Sequence, residues 1–312
     1  MKIGFVFPGQ GAQYIGMGKD LYDTYEEIHA LYDKASIITG KDIAKLTFNS
    51  SEEELSQTKN TQICILTMSL GILEILKSND IQAELCAGLS LGEYTALIYS
   101  QAINLEDGLK IVEKRGTFMQ EDLPCGNWSM AAILGLDDDK VNDLCSNITS
   151  GFVVPANYNC PGQVVISGEK NAILDVIELA KNSGAKRTME LKTSGPFHTE
   201  KLQKASKSLK EALQTISINS QKATKVIKNI DGLPYKASDD IHTILANHVT
   251  HPVQFGKTIQ SMLNSGIDTF IEIGPGKVLS GFIKKINKDV KIFNISDVAT
   301  LTQVMQEIKK GD

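Results

Sequence analysis

Residues 86–97 read CAGLSLGEYTAL and hold a serine, Ser90, between two glycines that stand two positions to either side. An apolar run precedes this segment and a helix-forming run follows it, so the segment predicts a strand, a tight turn and a helix. Such a turn presents a serine at a helix N-terminus, where unpaired backbone amides favour developing negative charge. Because Gly-x-Ser-x-Gly also occurs by chance, a turn without chemistry is the alternative interpretation.

Strands and helices alternate on both sides of this turn. The run at residues 3–7 is short, β-branched and aromatic and stops at Pro8, as expected of a buried strand that enters a loop. A second such run, at residues 83–87, leads into the glycines. Strands that alternate with helices predict a parallel sheet covered on both faces. The other elements predicted for this part are helices at 21–31, 61–77, 93–99, 105–120 and 199–213, and strands at 224–230, 269–273 and 291–295.

The pattern changes between residues 128 and 191, where the predicted order is strand, helix, strand, strand, helix, strand. This βαββαβ order is typical of a split-βαβ unit, and turn-rich segments flank it on both sides. We therefore predict an α/β fold of two parts. A large α/β-hydrolase-like domain with a parallel sheet comprises residues 1–126 and 196–312, and a small ferredoxin-like subdomain, residues 127–195, is inserted into it.

Composition narrows the class of protein. A chain of 312 residues with a formal net charge of −5 is not a general nucleic-acid binder. The five cysteines form no C-x-x-C pair, so we expect buried free thiols and no metal site. No apolar run of about 18 residues occurs, and the first apolar run is too short for a signal sequence. We expect a cytoplasmic protein that does not engage a membrane.

A serine nucleophile needs a base, and histidine has a suitable pKa near neutrality. His198 lies in a Gly-Pro loop just before a predicted helix, and loops often carry catalytic residues. The other four histidines fall in or beside predicted helices and are interpreted as ordinary surface or cap residues; they are His29, His242, His248 and His251. His198 is therefore the leading candidate for the base, although the residues alone leave the other four open.

Six segments, taken in order, resemble the malonyl-CoA:acyl carrier protein transacylases, and the resemblance covers essentially the whole chain. They are FVFPGQGAQ (5–13), GLSLGEY (88–94), VEKRGTFMQ (112–120), NYNCPGQVVISG (157–168), GPFH (195–198) and EIGPGKVL (272–279). The resemblance implies an acyltransferase that moves a malonyl group from coenzyme A to the phosphopantetheine thiol of an acyl carrier protein in fatty acid biosynthesis. It implies no cofactor, with malonyl-CoA as the substrate.

The resemblance also implies roles for matching residues. Ser90 would be the nucleophile and His198 its base, acting as a dyad without a catalytic acid. Gln254, in the segment HPVQF, would belong to the segment that supplies the oxygen orienting the histidine. The backbone amides of Gln10 and Leu91 would form the oxyanion hole.

Substrate selection is implied by two further matches. Arg115 would bind the malonyl carboxylate, since its planar guanidinium can hold a carboxylate through two hydrogen bonds. Phe197 matches the form of the family that selects malonyl over branched units. Leu89 departs from the family, in which histidine usually precedes the nucleophile, and this leaves the polarity of the pocket and the subfamily open.

Three alternatives remain at this point. The enzyme could load malonyl groups as a stand-alone acyltransferase of a polyketide pathway, or it could be an acyl hydrolase that releases the acyl group to water. A catalytically silent protein that binds acyl carriers is a third possibility, which the presence of both Ser90 and His198 disfavours.

Overall fold

The computed structural model describes residues 1–123, 126–191, 193 and 195–311, which form two β-sheets and their surrounding helices. The strands are β1 (Ile3–Phe7), β2 (Leu85–Gly88), β3 (Trp128–Leu134), β4 (Val153–Cys160), β5 (Gln163–Glu169), β6 (Arg187–Leu191), β7 (Thr269–Ile273) and β8 (Lys291–Ile295). The first eight helices are α1 (Lys19–Thr24), α2 (Glu26–Thr39), α3 (Ile43–Phe48), α4 (Glu52–Leu55), α5 (Thr58–Ser78), α6 (Gly92–Tyr99), α7 (Leu105–Glu121) and α8 (Asp138–Ser146). The others are α9 (Lys170–Asn182), α10 (Gln203–Leu213), α11 (Ser220–Ala223), α12 (Ile241–His248), α13 (Phe255–Asn264), α14 (Val278–Ile286) and α15 (Val298–Gly311), and a 3-10 helix, Glu200–Leu202, leads into α10.

The first sheet has the strand order β2-β1-β7-β8, and all of its neighbouring strands are parallel. Alternate side chains of β1 point to opposite faces, as the pleat requires. Phe5 and Phe7 pack near Tyr99 of α6, with ring centroids 5.2 and 6.3 Å apart. Val6 joins the opposite apolar cluster, which includes Phe255 of α13. Both faces are covered, so the predicted parallel α/β sheet is confirmed.

The strand predicted at residues 224–230 is wrong. This stretch makes a single bridge with β2, at Val226 and Cys86, and then leaves the sheet. It folds back on itself instead, because the amide of Tyr235 donates to the carbonyl of Val226 and Ile227 bridges Pro234. Its β-prone side chains are buried in this small hairpin, whose backbone groups find their partners locally.

Helix α5 carries much of the core. By length and composition it could cross a membrane, since it has 21 residues and a mean hydropathy of 1.3. However, 83% of its most apolar window is buried inside the protein, as in a core helix. Four cysteines of the described residues are buried free thiols, namely Cys64, Cys86, Cys145 and Cys160, whereas Cys125 lies outside those residues.

The second sheet has the order β4-β5-β3-β6 and is antiparallel throughout. The predicted element order of this region is observed, with α8 between β3 and β4 and α9 between β5 and β6. Ala131 and Ile133 of β3 belong to the cluster formed with α8 and α9. Met130 and Ala132, which alternate with them, line a cavity on the other face. The second sheet therefore forms one wall of the cavity described below.

Candidate active site

The turn between β2 and α6 is as tight as its glycines suggest. A Cβ atom on Gly88 would lie 2.0 Å from the carbonyl carbon of Gly92, and one on Gly92 would lie 2.1 Å from the oxygen of Phe7. Larger residues would therefore collide with backbone that cannot move. Ser90, at the apex, has φ of 54°, a left-handed conformation that is uncommon for a residue with a side chain.

Ser90 and His198 meet in a buried pair. The Oγ atom of Ser90 lies 2.8 Å from Nε2 of His198, and both residues are largely shielded from solvent. His198 lies in the loop before the 3-10 helix and also has a left-handed backbone, with φ of 59°. The hydroxyl of Thr199 donates to the carbonyl of Pro196 across this loop, at 2.6 Å. The loop is thus held in the conformation that presents the imidazole to the serine.

Two backbone carbonyls orient the imidazole. Nδ1 of His198 lies 3.0 Å from the oxygen of His248 and 3.2 Å from that of His251. Because a carbonyl can only accept, Nδ1 carries the hydrogen and Nε2 presents its lone pair to Ser90. The expected kind of partner, an oxygen other than that of an acid, is present. The residue predicted to orient the histidine, Gln254, is replaced in this role by His248 and His251.

Gln254 has a different place in the structure. It precedes α13, its amide donates to the carbonyl of Asn229 at 2.7 Å, and its side chain lines a separate pocket beside Lys257. The segment HPVQF does reach the active site, but its contact comes through the carbonyl of His251, its first residue.

Burial lowers the pKa of His198 to about 4, and the nearby positive charge of Arg115 lowers it further in the same direction. A histidine with such a pKa is neutral over the whole range around neutrality. Its Nε2 atom is therefore free to accept a proton without first losing one.

Arg115 of α7 reaches the same point although it is almost fully buried. Its Nη2 donates to Oγ of Ser90 at 2.9 Å, and its Nη1 donates to Oε1 of Gln62 at 2.6 Å. The guanidinium also lies over the ring of Tyr94, 5.3 Å from the centroid. Nε is buried and has no hydrogen-bond partner among the described residues. A cation with an unused donor beside a nucleophile is suited to bind an anionic group of the substrate.

A cavity of about 320 Å³ opens onto Ser90 and His198 between the two sheets. Phe197 and Leu89 line it near the serine, and the second sheet contributes a largely apolar wall. Met189 and Val278, which are 43% and 52% exposed, stand at its lining with unusually accessible apolar side chains. The cavity has the form of a channel that could admit an extended, mostly apolar chain.

The predicted oxyanion donors lie beside the serine. Gln10 lines the cavity, and Leu91 directly follows Ser90 and immediately precedes α6. The amide of Ser90 itself is occupied, since it donates to Oδ1 of Asn229 at 2.6 Å. Within the described part of the chain, the amides of Gln10 and Leu91 have no such acceptor and remain free for a ligand.

Sequence reasoning missed a buried polar group behind the dyad. Glu93, in the first turn of α6, accepts a hydrogen bond from the hydroxyl of Tyr235 and one from the amide of Asn229, at 3.2 Å. Burial raises the pKa of Glu93 to about 7. His248, interpreted above as a surface or cap residue, is buried instead, with Nδ1 3.3 Å from Glu93. No local pattern marks these residues, because each meets the site through a distant contact.

Metal ligands do not cluster in the described ranges: no group of three or more His, Cys, Asp or Glu side chains there could hold a metal ion.

Comparisons with known proteins agree with this site. The family model described as "Acyl transferase domain" matches residues 4–309. A malonyl CoA-acyl carrier protein transacylase of Bacillus subtilis (strain 168) is 41% identical over 311 residues, which cover 99% of this chain and 98% of the relative. The crystal structure of a malonyl CoA-acyl carrier protein transacylase from Clostridium perfringens is 43% identical, with a TM-score of 0.93 over 99% of this chain and 98% of that one.

A third comparison is with a structure of a malonyl-transacylase in complex with a type II PKS acyl-carrier protein. It is 33% identical to this chain, with a TM-score of 0.93, and the match covers 98% of this chain and 100% of that one.

Proposed function

Because the chain belongs to the malonyl CoA-acyl carrier protein transacylases, we propose that it transfers a malonyl group from coenzyme A to the phosphopantetheine thiol of an acyl carrier protein. The observation that carries the proposal is the meeting of three groups at one atom. Oγ of Ser90 lies within hydrogen-bond distance of both His198 Nε2 and Arg115 Nη2. A base and a carboxylate-binding cation thus converge on a single nucleophile.

In the first half-reaction, Nε2 of His198 takes the proton from Ser90 while Oγ attacks the thioester carbonyl carbon of malonyl-CoA. The amides of Gln10 and Leu91 stabilise the oxyanion that forms. The carbon–sulfur bond then breaks, and the protonated His198 gives its proton to the sulfur of coenzyme A. The products are free coenzyme A and a malonyl ester on Ser90.

In the second half-reaction, coenzyme A has left and the carrier protein thiol takes its place. His198 accepts the thiol proton, the sulfur attacks the ester carbonyl, and the bond to Ser90 Oγ breaks. The serine recovers its proton from His198, so the enzyme returns to its starting state. This ping-pong scheme needs no cofactor beyond the two substrates.

Arg115 provides the selectivity for malonyl donors. In the malonyl ester, one methylene group separates the reacting carbonyl from the free carboxylate, so the carboxylate must lie close to Ser90. Nη2 and the unpaired Nε of Arg115 are the donors at that distance. A neutral acyl group would leave this buried cation without a partner, which costs free energy. Phe197 bounds the same space and would limit branched acyl units.

The architecture fits a two-part description. We assign residues 1–126 and 196–312 to an α/β-hydrolase-like catalytic domain and residues 127–195 to an inserted ferredoxin-like subdomain. The strand order β4-β5-β3-β6, with both helices on one face, supports the second assignment. The cavity between the parts would hold the phosphopantetheine arm, and a cytoplasmic location would suit soluble substrates.

Fatty acid biosynthesis is the proposed pathway. A polyketide pathway is the second candidate, and one observation favours it: the comparison protein in complex with a type II PKS carrier shares the fold at a TM-score of 0.93. Steady-state rates with carrier proteins of the two kinds would distinguish the pathways, since the preferred carrier should give the higher kcat/KM.

Intact-mass spectrometry tests transfer against hydrolysis. After malonyl-CoA is mixed with the protein, we expect a gain of about 86 Da, the mass of one malonyl group. Adding a phosphopantetheinylated carrier protein should remove that gain from the enzyme and place it on the carrier. Loss of the adduct without a carrier would favour an acyl hydrolase, and no adduct at all would contradict the proposed function.

A further inference from the structure

Asn229 lies directly behind the turn that carries Ser90, and it is completely buried. Its Oδ1 accepts the amide of Ser90, and its Nδ2 donates to the carbonyl of Gly88, each at 2.6 Å. The opposite orientation of the amide would face a donor with a donor and an acceptor with an acceptor, so this orientation is the consistent one. One side chain thereby bridges both sides of the turn.

We propose that Asn229 is a positioning residue for the nucleophile, which holds the backbone around Ser90 so that Oγ faces His198 and the amide of Leu91 faces the oxyanion. The inference rests on the proposed function, because it assumes that Ser90 is acylated. Asn229 reaches neither substrate nor the reacting atoms and acts through the turn.

The turn needs such support because of its conformation. Ser90 has a left-handed backbone, and its amide precedes α6 while the carbonyl of Gly88 ends β2. Asn229 supplies partners for both of these buried groups. A strained conformation persists when the surrounding structure determines it strongly. Release of the turn would rotate Ser90 Oγ and the amide of Leu91 together, since they belong to adjacent residues.

Asn229 is itself held from two other directions. Its amide donates to Oε2 of Glu93 at 3.2 Å, and its carbonyl accepts the amide of Gln254 at 2.7 Å. The hydroxyl of Tyr235 holds the other carboxylate oxygen of Glu93. Glu93 also lies 3.3 Å from the ring of His248, whose carbonyl orients His198. A single buried carboxyl group therefore connects the supports of both members of the dyad.

The substitution Asn229→Asp gives a test with a built-in signature. A protonated aspartic acid has the shape of asparagine and can donate to Gly88 while it accepts from Ser90. An ionised aspartate turns an oxygen toward the carbonyl of Gly88, and the two acceptors repel each other. Burial and the carboxyl group of Glu93 should raise the pKa of the new aspartate into an accessible range. The pKa of His198, lowered to about 4, leaves the base neutral over that range.

The measurement is the rate of malonyl ester formation at saturating malonyl-CoA, followed by quenched mass spectrometry. We expect the ratio of the Asn229→Asp rate to the wild-type rate to fall at least about tenfold between about pH 5 and pH 8. The concentration of malonyl-CoA that gives half the maximal rate should change by less than about twofold. The harsher variant Asn229→Ala should be about 100-fold slower at every pH.

Asn60→Asp is the matched control. Asn60 is also buried, and its amide also donates to a backbone carbonyl, that of Glu54, but it makes no contact with the turn. Its rate relative to wild type should not vary with pH. Measurement of Asn229→Asp at low pH keeps the test open even if the ionised form unfolds, because the protonated form matches asparagine.

An Asn229→Asp ratio that stays constant with pH, or that varies as it does for Asn60→Asp, would overturn the positioning role. Failure of the wild type to acquire the malonyl group would instead contradict the proposed function.

Discussion

At the residue scale, the protonation of His198 should set the acid limit of the reaction. Because burial and Arg115 lower the pKa of His198 to about 4, the imidazole stays neutral well below the usual histidine range. The rate of malonyl ester formation should be flat from about pH 8 to pH 5 and fall to half near pH 4. Quenched-flow measurement across this range checks the prediction. A half-maximal rate near pH 6.5, the unperturbed value, would show that the base is not in this environment.

Arg115 gives a second prediction at this scale. Replacing it with methionine preserves much of the side-chain volume but removes the guanidinium that faces Ser90. Two charge-assisted hydrogen bonds at about 1.5–3 kcal/mol each correspond to a loss of at least about 100-fold in kcat/KM for malonyl-CoA. Acetyl-CoA, which has no carboxylate, should lose far less. Equal losses for both donors would mean that Arg115 supports the fold rather than selecting the substrate.

At the element scale, the junction of β1, β2 and α6 depends on the absence of side chains. Gly92→Ala would place a Cβ atom 2.1 Å from the oxygen of Phe7. We expect it to lower the free energy of unfolding by about 1–3 kcal/mol and to abolish acylation. Urea unfolding provides the measurement.

Gly281 is the matched control for this substitution. It lies in α14, and a Cβ atom there would meet nothing within 4 Å. Gly281→Ala should raise the free energy of unfolding by about 0.5–1 kcal/mol, because alanine restricts the unfolded chain and favours a helix. A Gly92→Ala protein as stable and as active as Gly281→Ala would refute the account of the turn.

Elements were largely predictable from the sequence, because hydrophobic periodicity and Gly-Pro punctuation are local signals. β1 has the predicted bounds, and α6 begins one residue earlier than predicted. The stretch at 224–230 failed since its β-prone composition is local, whereas the choice between a sheet and a hairpin depends on a distant partner. Propensity describes a residue, and only tertiary contacts decide which strands pair.

At the scale of the whole molecule, stability should depend on pH through Glu93. Its pKa is about 7 in the folded protein against 4.5 as the ordinary value, so the folded state holds a proton that the unfolded state releases. The stabilising contribution of Glu93 is therefore complete below about pH 4.5 and is lost as pH rises through 7.

Glu93→Gln isolates this effect. Relative to the variant, the wild type should lose up to about 3 kcal/mol of unfolding free energy between about pH 4 and pH 8. Urea unfolding of both proteins at several pH values measures the difference. A difference that does not change with pH would contradict the raised pKa.

The candidate site was predictable to different depths. Ser90 and His198 carry chemistry in their side chains and lie in marked motifs, and the structure brings them together across 108 positions of sequence. The orienting oxygen was assigned to the wrong residue, because every residue has a backbone carbonyl and none is marked in a sequence. Asn229 gave no signal either, since its contacts with the turn span 139 and 141 positions. Side-chain chemistry is visible in a sequence, but support by backbone and distant contacts is not.

The central claim is that Ser90, activated by His198, carries the malonyl group. The most direct test is peptide mapping by mass spectrometry after a brief reaction with malonyl-CoA, with Ser90→Ala treated in parallel. The account predicts a gain of about 86 Da on Ser90 of the wild type and none on the variant. A malonyl group on another residue, or an equal gain in Ser90→Ala, would contradict it.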